Sequence, residues 1–195
     1  GVQTCALPIS MAKADALVEG LNLLKLRLKV LGDQDFSGGI DTLKKITSNS
    51  PTFDFIATNA TNSLDLPHLK YFKASFYQHK FFILGVTNPN TLQKEYQKFF
   101  GNVEDALEIH IRKLKKDHGF NSDNPFHHLF ILSHSGEKFE KNLAAKFKDI
   151  DWILGSHSMN FSQKPVKIEN TQIAQMLSRN HYIGKIKFQI GRAHV

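Results

Sequence analysis

Two histidines in the sequence stand directly after apolar runs of strand length. Residues 130–133 lead to His134, and residues 152–156 lead to His157. Two strands of one sheet that end in this way would place both imidazoles at the same edge, where a rigid sheet positions reactive groups on exposed loops. The pattern indicates a metal site that contains both histidines. From the spacing alone, the alternative for each histidine is an ordinary polar role in a loop.

The composition is that of a globular protein. The 195 residues suffice for one domain with a sizeable core, and 41% of them are hydrophobic and 22% charged. No apolar run approaches the roughly 18 residues of a membrane span. The net charge of +7 comes mainly from lysine, because arginine stands at only four positions. Nucleic-acid-binding surfaces more often cluster arginine and lysine on one face, so nucleic acid is not the expected partner.

The two ends of the chain resemble translated sequencing-adapter DNA. Residues 1–10 and 190–195 are therefore predicted to be artefacts, and residues 11–189 form the predicted domain. The only cysteine, Cys5, lies in the first of these segments, so no disulfide is expected in the domain.

The elements that must position the histidines follow from the spacing of apolar residues. Helices are predicted at residues 11–24, 40–47, 102–116 and 138–147. Strands are predicted at residues 26–31, 53–57, 71–77, 80–86, 125–132 and 152–154, with closing strands at 166–168, 171–176 and 183–188. An early alternation of strands and helices, followed by consecutive strands, predicts one α/β domain with a mixed sheet.

The order of the polar motifs resembles the calcineurin-like metallophosphoesterases, and within them the bacterial 5′-nucleotidase group. Residues 31–36 (LGDQDF) stand where that family carries G-N-H-E, and residues 58–59 (TN) close the next strand like its S-A-N. Residues 133–136 (SHSG) are similar to its S-H-x-G, and residues 155–158 (GSHS) to its G-G-H-S. The order and spacing of these motifs carry the resemblance more than any one of them.

The resemblance implies a partial four-layer αββα fold with mixed β-sheets. It also implies two divalent metal ions that orient a phosphate group and generate the attacking hydroxide. Asp33, His134 and His157 take the positions of metal ligands, and such ligands suit Zn, Mn or Fe. Gln34 takes the position of the family's catalytic histidine, and Asn59 is a candidate substrate-binding residue. From the residues alone, Asp33 is equally well explained as a turn residue.

Several positions depart from the family pattern. The D-x-H and G-D motifs, which supply further metal ligands, are expected upstream of residue 11, and residues 1–10 do not contain them. Gln34 replaces a histidine, and an amide cannot protonate a leaving group near neutral pH. Ser37 replaces the aspartate that orients this histidine. Met159 replaces a further ligand, and a thioether binds hard divalent ions poorly.

Two hypotheses about function follow. The first is a fragment of a metal-dependent, 5′-nucleotidase-like phosphoesterase that hydrolyses phosphate esters of nucleotides or related metabolites. On this hypothesis the fragment alone is inactive, and the parent protein is exported, as members of the family often are. The alternative is a catalytically inactive descendant that binds a ligand or partner, which the changes at Gln34, Ser37 and Met159 favour. A basic nucleic-acid binder is a third hypothesis, and it requires strongly salt-dependent binding.

Overall fold

The computed structural model describes residues 2–3, 11–48, 52–158, 160, 162–175 and 185–186. Within these ranges the strands form two β-sheets, one of three strands and one of six. Met159 lies outside the described residues, and so does most of the strand predicted at residues 183–188. None of the helices that can be described is long and apolar enough to cross a membrane.

The smaller sheet has three parallel strands in the order β1-β2-β3. Its strands and the helices between them are β1 (Val2–Gln3), α1 (Met11–Leu23), β2 (Leu28–Val30), α2 (Gly39–Ser48) and β3 (Asp54–Ile56). All three residues of β2 are buried, as is typical of a parallel strand covered on both faces. A short 3₁₀-helix, Asp33–Phe36, begins three residues after β2 ends.

The larger sheet is mixed and has the strand order β4-β5-β6-β7-β9-β8. Its four central strands are parallel, and one further strand pairs antiparallel at each edge. Its elements are β4 (Phe72–Phe76), β5 (His79–Thr87), α3 (Val103–His118), β6 (His127–His134), α4 (Glu137–Lys146), β7 (Trp152–Ser156), β8 (Val166–Ile168) and β9 (Thr171–Gln175).

The two sheets pack face to face, and helices cover their outer faces. Leu28, Val30 and Ile56 of the smaller sheet form one apolar cluster with Leu132 of β6. The other face of the larger sheet packs on α3 and α4, and the other face of the smaller sheet packs on α1, α2 and the 92–100 segment. The layer order is therefore helix, sheet, sheet, helix, which confirms the predicted α/β fold class.

The predicted elements agree with the structure to within two residues at each end, apart from the segment that is not described. The difference that matters for the site is that β6 and β7 extend two residues further than predicted, to His134 and Ser156. His134 is therefore the last residue of its strand rather than a loop residue. A strand residue has less conformational freedom than a loop residue, so the sheet itself orients this imidazole.

Candidate metal centre

Three strands from both sheets end at the same place. β6 and β7 are parallel neighbours in which His134 lies opposite Ser156, so His157 comes one residue beyond this row. β2 packs against β6 through Val30 and Leu132, and the chain after β2 leads within three residues to Asp33. The carboxyl ends of β2, β6 and β7 thus bring one carboxylate and two imidazoles together.

The residues predicted as metal ligands form a compact cluster. One potential ligand atom each from Asp33, His134 and His157 lies within 4.8 Å of the others. Asp33 Oδ1 is 3.0 Å from His134 Nε2. The two imidazole rings are 4.9 Å apart between centroids, at an angle of 70°. His134 is fully buried, Asp33 is partly buried and His157 is exposed, so the cluster opens to solvent on one side.

Ser156 orients the imidazole of His134. The Ser156 hydroxyl donates to the carbonyl oxygen of Ser133 at 3.2 Å, and it lies 3.0 Å from His134 Nδ1. Nε2 of the ring thereby faces Asp33 Oδ1, with which it shares a hydrogen bond in the metal-free chain. A divalent cation held by the carboxylate oxygen and the imidazole nitrogen would displace the proton of this hydrogen bond.

The local charges favour the forms that bind metal. The hydrogen bond with His134 lowers the pKa of Asp33 to about 2, against an opposing effect of burial, and the Gln34 amide lowers it further. Burial lowers the pKa of His157, and the positive charge of a protonated His134 would lower it further. Near neutral pH, Asp33 is therefore ionised and His157 is neutral, which are the protonation states of metal ligands.

Gln34 lies beside the cluster, and Asn59 forms hydrogen bonds with the backbone. Gln34 Nε2 donates to Asp33 Oδ2 at 3.0 Å, so this amide orients the carboxylate. Asn59 is buried, and its Nδ2 donates to the carbonyl oxygens of Thr87 and Gly101 while its Oδ1 accepts from Thr87 N–H. These backbone contacts fasten the end of β3 to the end of β5. The role of Asn59 in substrate binding stays a prediction without a geometric basis here.

Sequence reasoning missed an ion pair beneath the turn that carries Asp33. Lys29 Nζ lies 2.6 Å from Asp35 Oδ1, and both side chains are almost fully buried. Asp35 Oδ2 also accepts from Gly32 N–H at 2.8 Å, which closes the turn. The available signal was a single lysine inside an apolar strand, because a buried lysine needs a partner of opposite charge.

Gly32 is required by the position of His134. A Cβ added at Gly32 would lie 2.6 Å from His134 Nδ1, which is closer than nonbonded atoms approach. We expect Gly32→Ala to displace this imidazole and to lower the free energy of unfolding by about 1–3 kcal/mol, as overpacking usually does. Urea unfolding measures the stability. Gly20→Ala is the control, because nothing lies within 4 Å of the added carbon; equal effects of the two substitutions would contradict this account.

Comparison with known proteins identifies the fold. No family model and no curated protein sequence matches the chain. Among solved structures it is similar to the sulfate thiohydrolase SoxB of Thermus thermophilus (18% identity, TM-score 0.70), covering 85% of this chain and 30% of that one. It is also similar to the NAD nucleotidase of Haemophilus influenzae, with 20% identity and a TM-score of 0.65, over 84% of this chain and 36% of that one. A third similar structure is a 5′-nucleotidase precursor from Thermus thermophilus, with 18% identity and a TM-score of 0.69, over 85% of this chain and 35% of that one.

The chain has the fold of these solved structures, which is the calcineurin-like metallophosphoesterase fold. The similar structures include the 5′-nucleotidase group that the order of the sequence motifs predicted, together with SoxB, which was not predicted. The chain spans about a third of the length of these proteins.

Proposed function

We propose that this chain is part of a metal-dependent phosphoesterase of the 5′-nucleotidase type. The observation that carries the proposal is the cluster of Asp33, His134 and His157 at the strand ends of this fold. One carboxylate and two imidazoles suit Zn, Mn or Fe. The predicted second metal needs more ligands, and the D-x-H and G-D motifs expected upstream would supply them. Nucleotides are the proposed substrates because two of the similar structures are named as nucleotidases.

In the proposed reaction, a bound metal and the protein side chains would have different roles. A bound divalent metal would polarise the phosphoryl oxygens and lower the pKa of a coordinated water. Asp33 contributes a fixed negative charge, and His134 and His157 contribute neutral nitrogen donors. Gln34 holds the second oxygen of Asp33 and can also donate a hydrogen bond to a phosphate oxygen, but it cannot transfer a proton. Export of the parent protein is part of the proposal, since one similar protein is described as a precursor.

Metal binding by the 195-residue chain provides the first test. We expect the chain to bind Co²⁺, a spectroscopic substitute for Zn²⁺, and His157→Ala to weaken this binding by at least about tenfold to a hundredfold, which is the loss that follows from removing a residue that merely supports a ligand. Because His157 is exposed, its removal leaves the core intact. His68→Ala is the matched control, since His68 Nδ1 lies 2.7 Å from the Leu66 carbonyl oxygen and His68 is not part of the cluster. Equal Co²⁺ affinity in all three proteins would refute the proposed site.

The alternative is a catalytically inactive descendant, which one observation favours. The amide of Gln34 is engaged with Asp33, and no amide can act as a general acid at neutral pH. Phosphatase assays on the full-length parent with Mn²⁺ or Zn²⁺ separate the two functions. Turnover that is lost in His157→Ala supports the enzyme. Absence of turnover, with inorganic phosphate or nucleotide still bound, supports the inactive descendant.

A further inference from the structure

A buried carboxyl group lies directly behind the candidate metal centre. Glu140 is on α4 and is fully inaccessible to solvent. Buried acidic side chains usually pair with a cation, yet no described lysine or arginine forms an ion pair with Glu140. A carboxyl group in such a place has a desolvation cost and needs a reason to be there.

The carboxyl group of Glu140 lies across three neighbouring strands. Ser133 of β6, Gly155 of β7 and Gln175 of β9 are side by side in the register of the sheet. Gln175 Nε2 donates to Glu140 Oε2 at 2.5 Å, and the Ser133 hydroxyl approaches from the other side. The absence of a side chain at Gly155 makes room for the carboxyl group, because a Cβ added there would lie only 2.0 Å from Glu140 Oε2. One carboxyl group thus contacts β6, β7 and β9 in a single row.

The next row of the sheet carries the candidate ligands. His134 follows Ser133, and Ser156, which orients His134, follows Gly155 and contacts Glu140 through its backbone. His157 comes next and has a φ of 84°, a backbone conformation that must be held by its surroundings. A second link from α4 to this loop runs from Glu137 N–H to Ser158 Oγ at 2.6 Å.

We propose that Glu140 is a positioning residue that fixes the ends of β6 and β7, and thereby the spacing of His134 and His157. The expected effect on metal affinity rests on the proposed function. The effect on the positions of the two histidines does not, because it can be measured in the metal-free chain. A hydrogen-bonding group is needed here rather than an apolar one. Removing the carboxyl group would leave Gln175 Nε2 and the Ser156 N–H without their hydrogen-bond acceptor.

The protonation of Glu140 fits this role. Burial raises the pKa of Glu140 to about 7, although Gln175, Ser133 and the Ser156 backbone lower it. A large fraction of the carboxyl groups is therefore neutral at neutral pH. A neutral carboxyl group can both donate and accept, as the amide of glutamine can, so Glu140→Gln preserves the contacts while Glu140→Ala removes them.

The experiment compares the histidine side chains of the metal-free 195-residue chain by ¹H–¹⁵N NMR. We expect Glu140→Ala to shift the imidazole resonances of His134 and His157, and Glu140→Gln to leave them close to their original positions. Leu143→Ala is the matched control, because Leu143 is on the same helix and fully buried but packs only in the core cluster of α3 and α4. It lowers stability without moving these resonances.

Co²⁺ titrations then measure the consequence. Glu140→Ala is expected to weaken Co²⁺ binding about tenfold, while Glu140→Gln and Leu143→Ala retain it. Unchanged imidazole resonances in Glu140→Ala, or equal shifts in Leu143→Ala, would overturn the positioning role. A chain that binds no Co²⁺ refutes the proposed function, whereas the metal-free spectra still decide the role of Glu140. If Glu140→Ala does not fold, Gln175→Leu removes the same contact from the opposite side, and unshifted resonances there overturn the proposal.

Discussion

Replacing Asp35 by alanine is expected to lower the free energy of unfolding by about 3–5 kcal/mol, because the substitution leaves a buried lysine without its partner. Lys29 Nζ and Asp35 Oδ1 are 2.6 Å apart, with side-chain exposures of only 3% and 4%. The lost carboxylate also releases Gly32 N–H, which donates to Asp35 Oδ2. This effect is among the largest expected for a single substitution, since both a buried charge and a buried N–H lose their partners.

Urea unfolding of three variants measures this contribution. Asp65→Ala is the matched control, because Asp65 pairs with Lys44 at a similar distance of 2.7 Å but with side-chain exposures of 87% and 41%. Solvent screens this exposed pair, so its loss changes stability little. The double variant Lys29→Met/Asp35→Leu recovers the part of the loss that comes from the unpaired lysine, because it leaves no buried charge, whereas Gly32 N–H stays without its acceptor. A loss in Asp35→Ala no larger than in Asp65→Ala would contradict burial as the cause.

The same ion pair shows what the sequence could and could not predict. Apolar periodicity predicted β2 correctly, because burial of a parallel strand leaves a clear pattern of residue types. Lys29 interrupts this pattern, and its partner six residues later is across a turn whose path depends on tertiary structure. Local spacing therefore predicts the strand but not the contact that closes the turn.

The candidate site, too, could be predicted only in part from the sequence. The strand-end positions of His134 and His157 could be read from the sequence, because the carboxyl ends of parallel strands meet at one edge. The approach of Asp33 depends on how the two sheets pack, and the sequence supplied it only through the order of the family motifs. Glu140 was not predicted at all, because an acidic residue on an amphipathic helix ordinarily faces solvent. Its burial follows from the space above Gly155, which only the structure reveals.

The second large effect is a pH dependence of stability that belongs to Glu140. Burial raises its pKa from 4.5 to about 7 in the folded chain. Between these two values the folded state binds more protons than the unfolded state, so stability falls as the pH rises. The window runs from about pH 4.5 to about pH 7, and the expected loss is about 3 kcal/mol. Below this window both states are protonated, and above it both are ionised, so the contribution becomes constant.

Comparison with Glu140→Gln isolates this contribution from other titrating groups. The pKa of Asp33 is lowered to about 2, so its stabilisation is lost only as the pH falls below about 4. Burial lowers the pKa values of the histidines His110, His127, His128 and His157, which affect both proteins alike. Urea unfolding of both proteins at pH values from 4.5 to 8 is therefore expected to show that the unsubstituted chain loses stability relative to Glu140→Gln as the pH rises. A difference independent of pH would mean that Glu140 titrates normally in the folded chain.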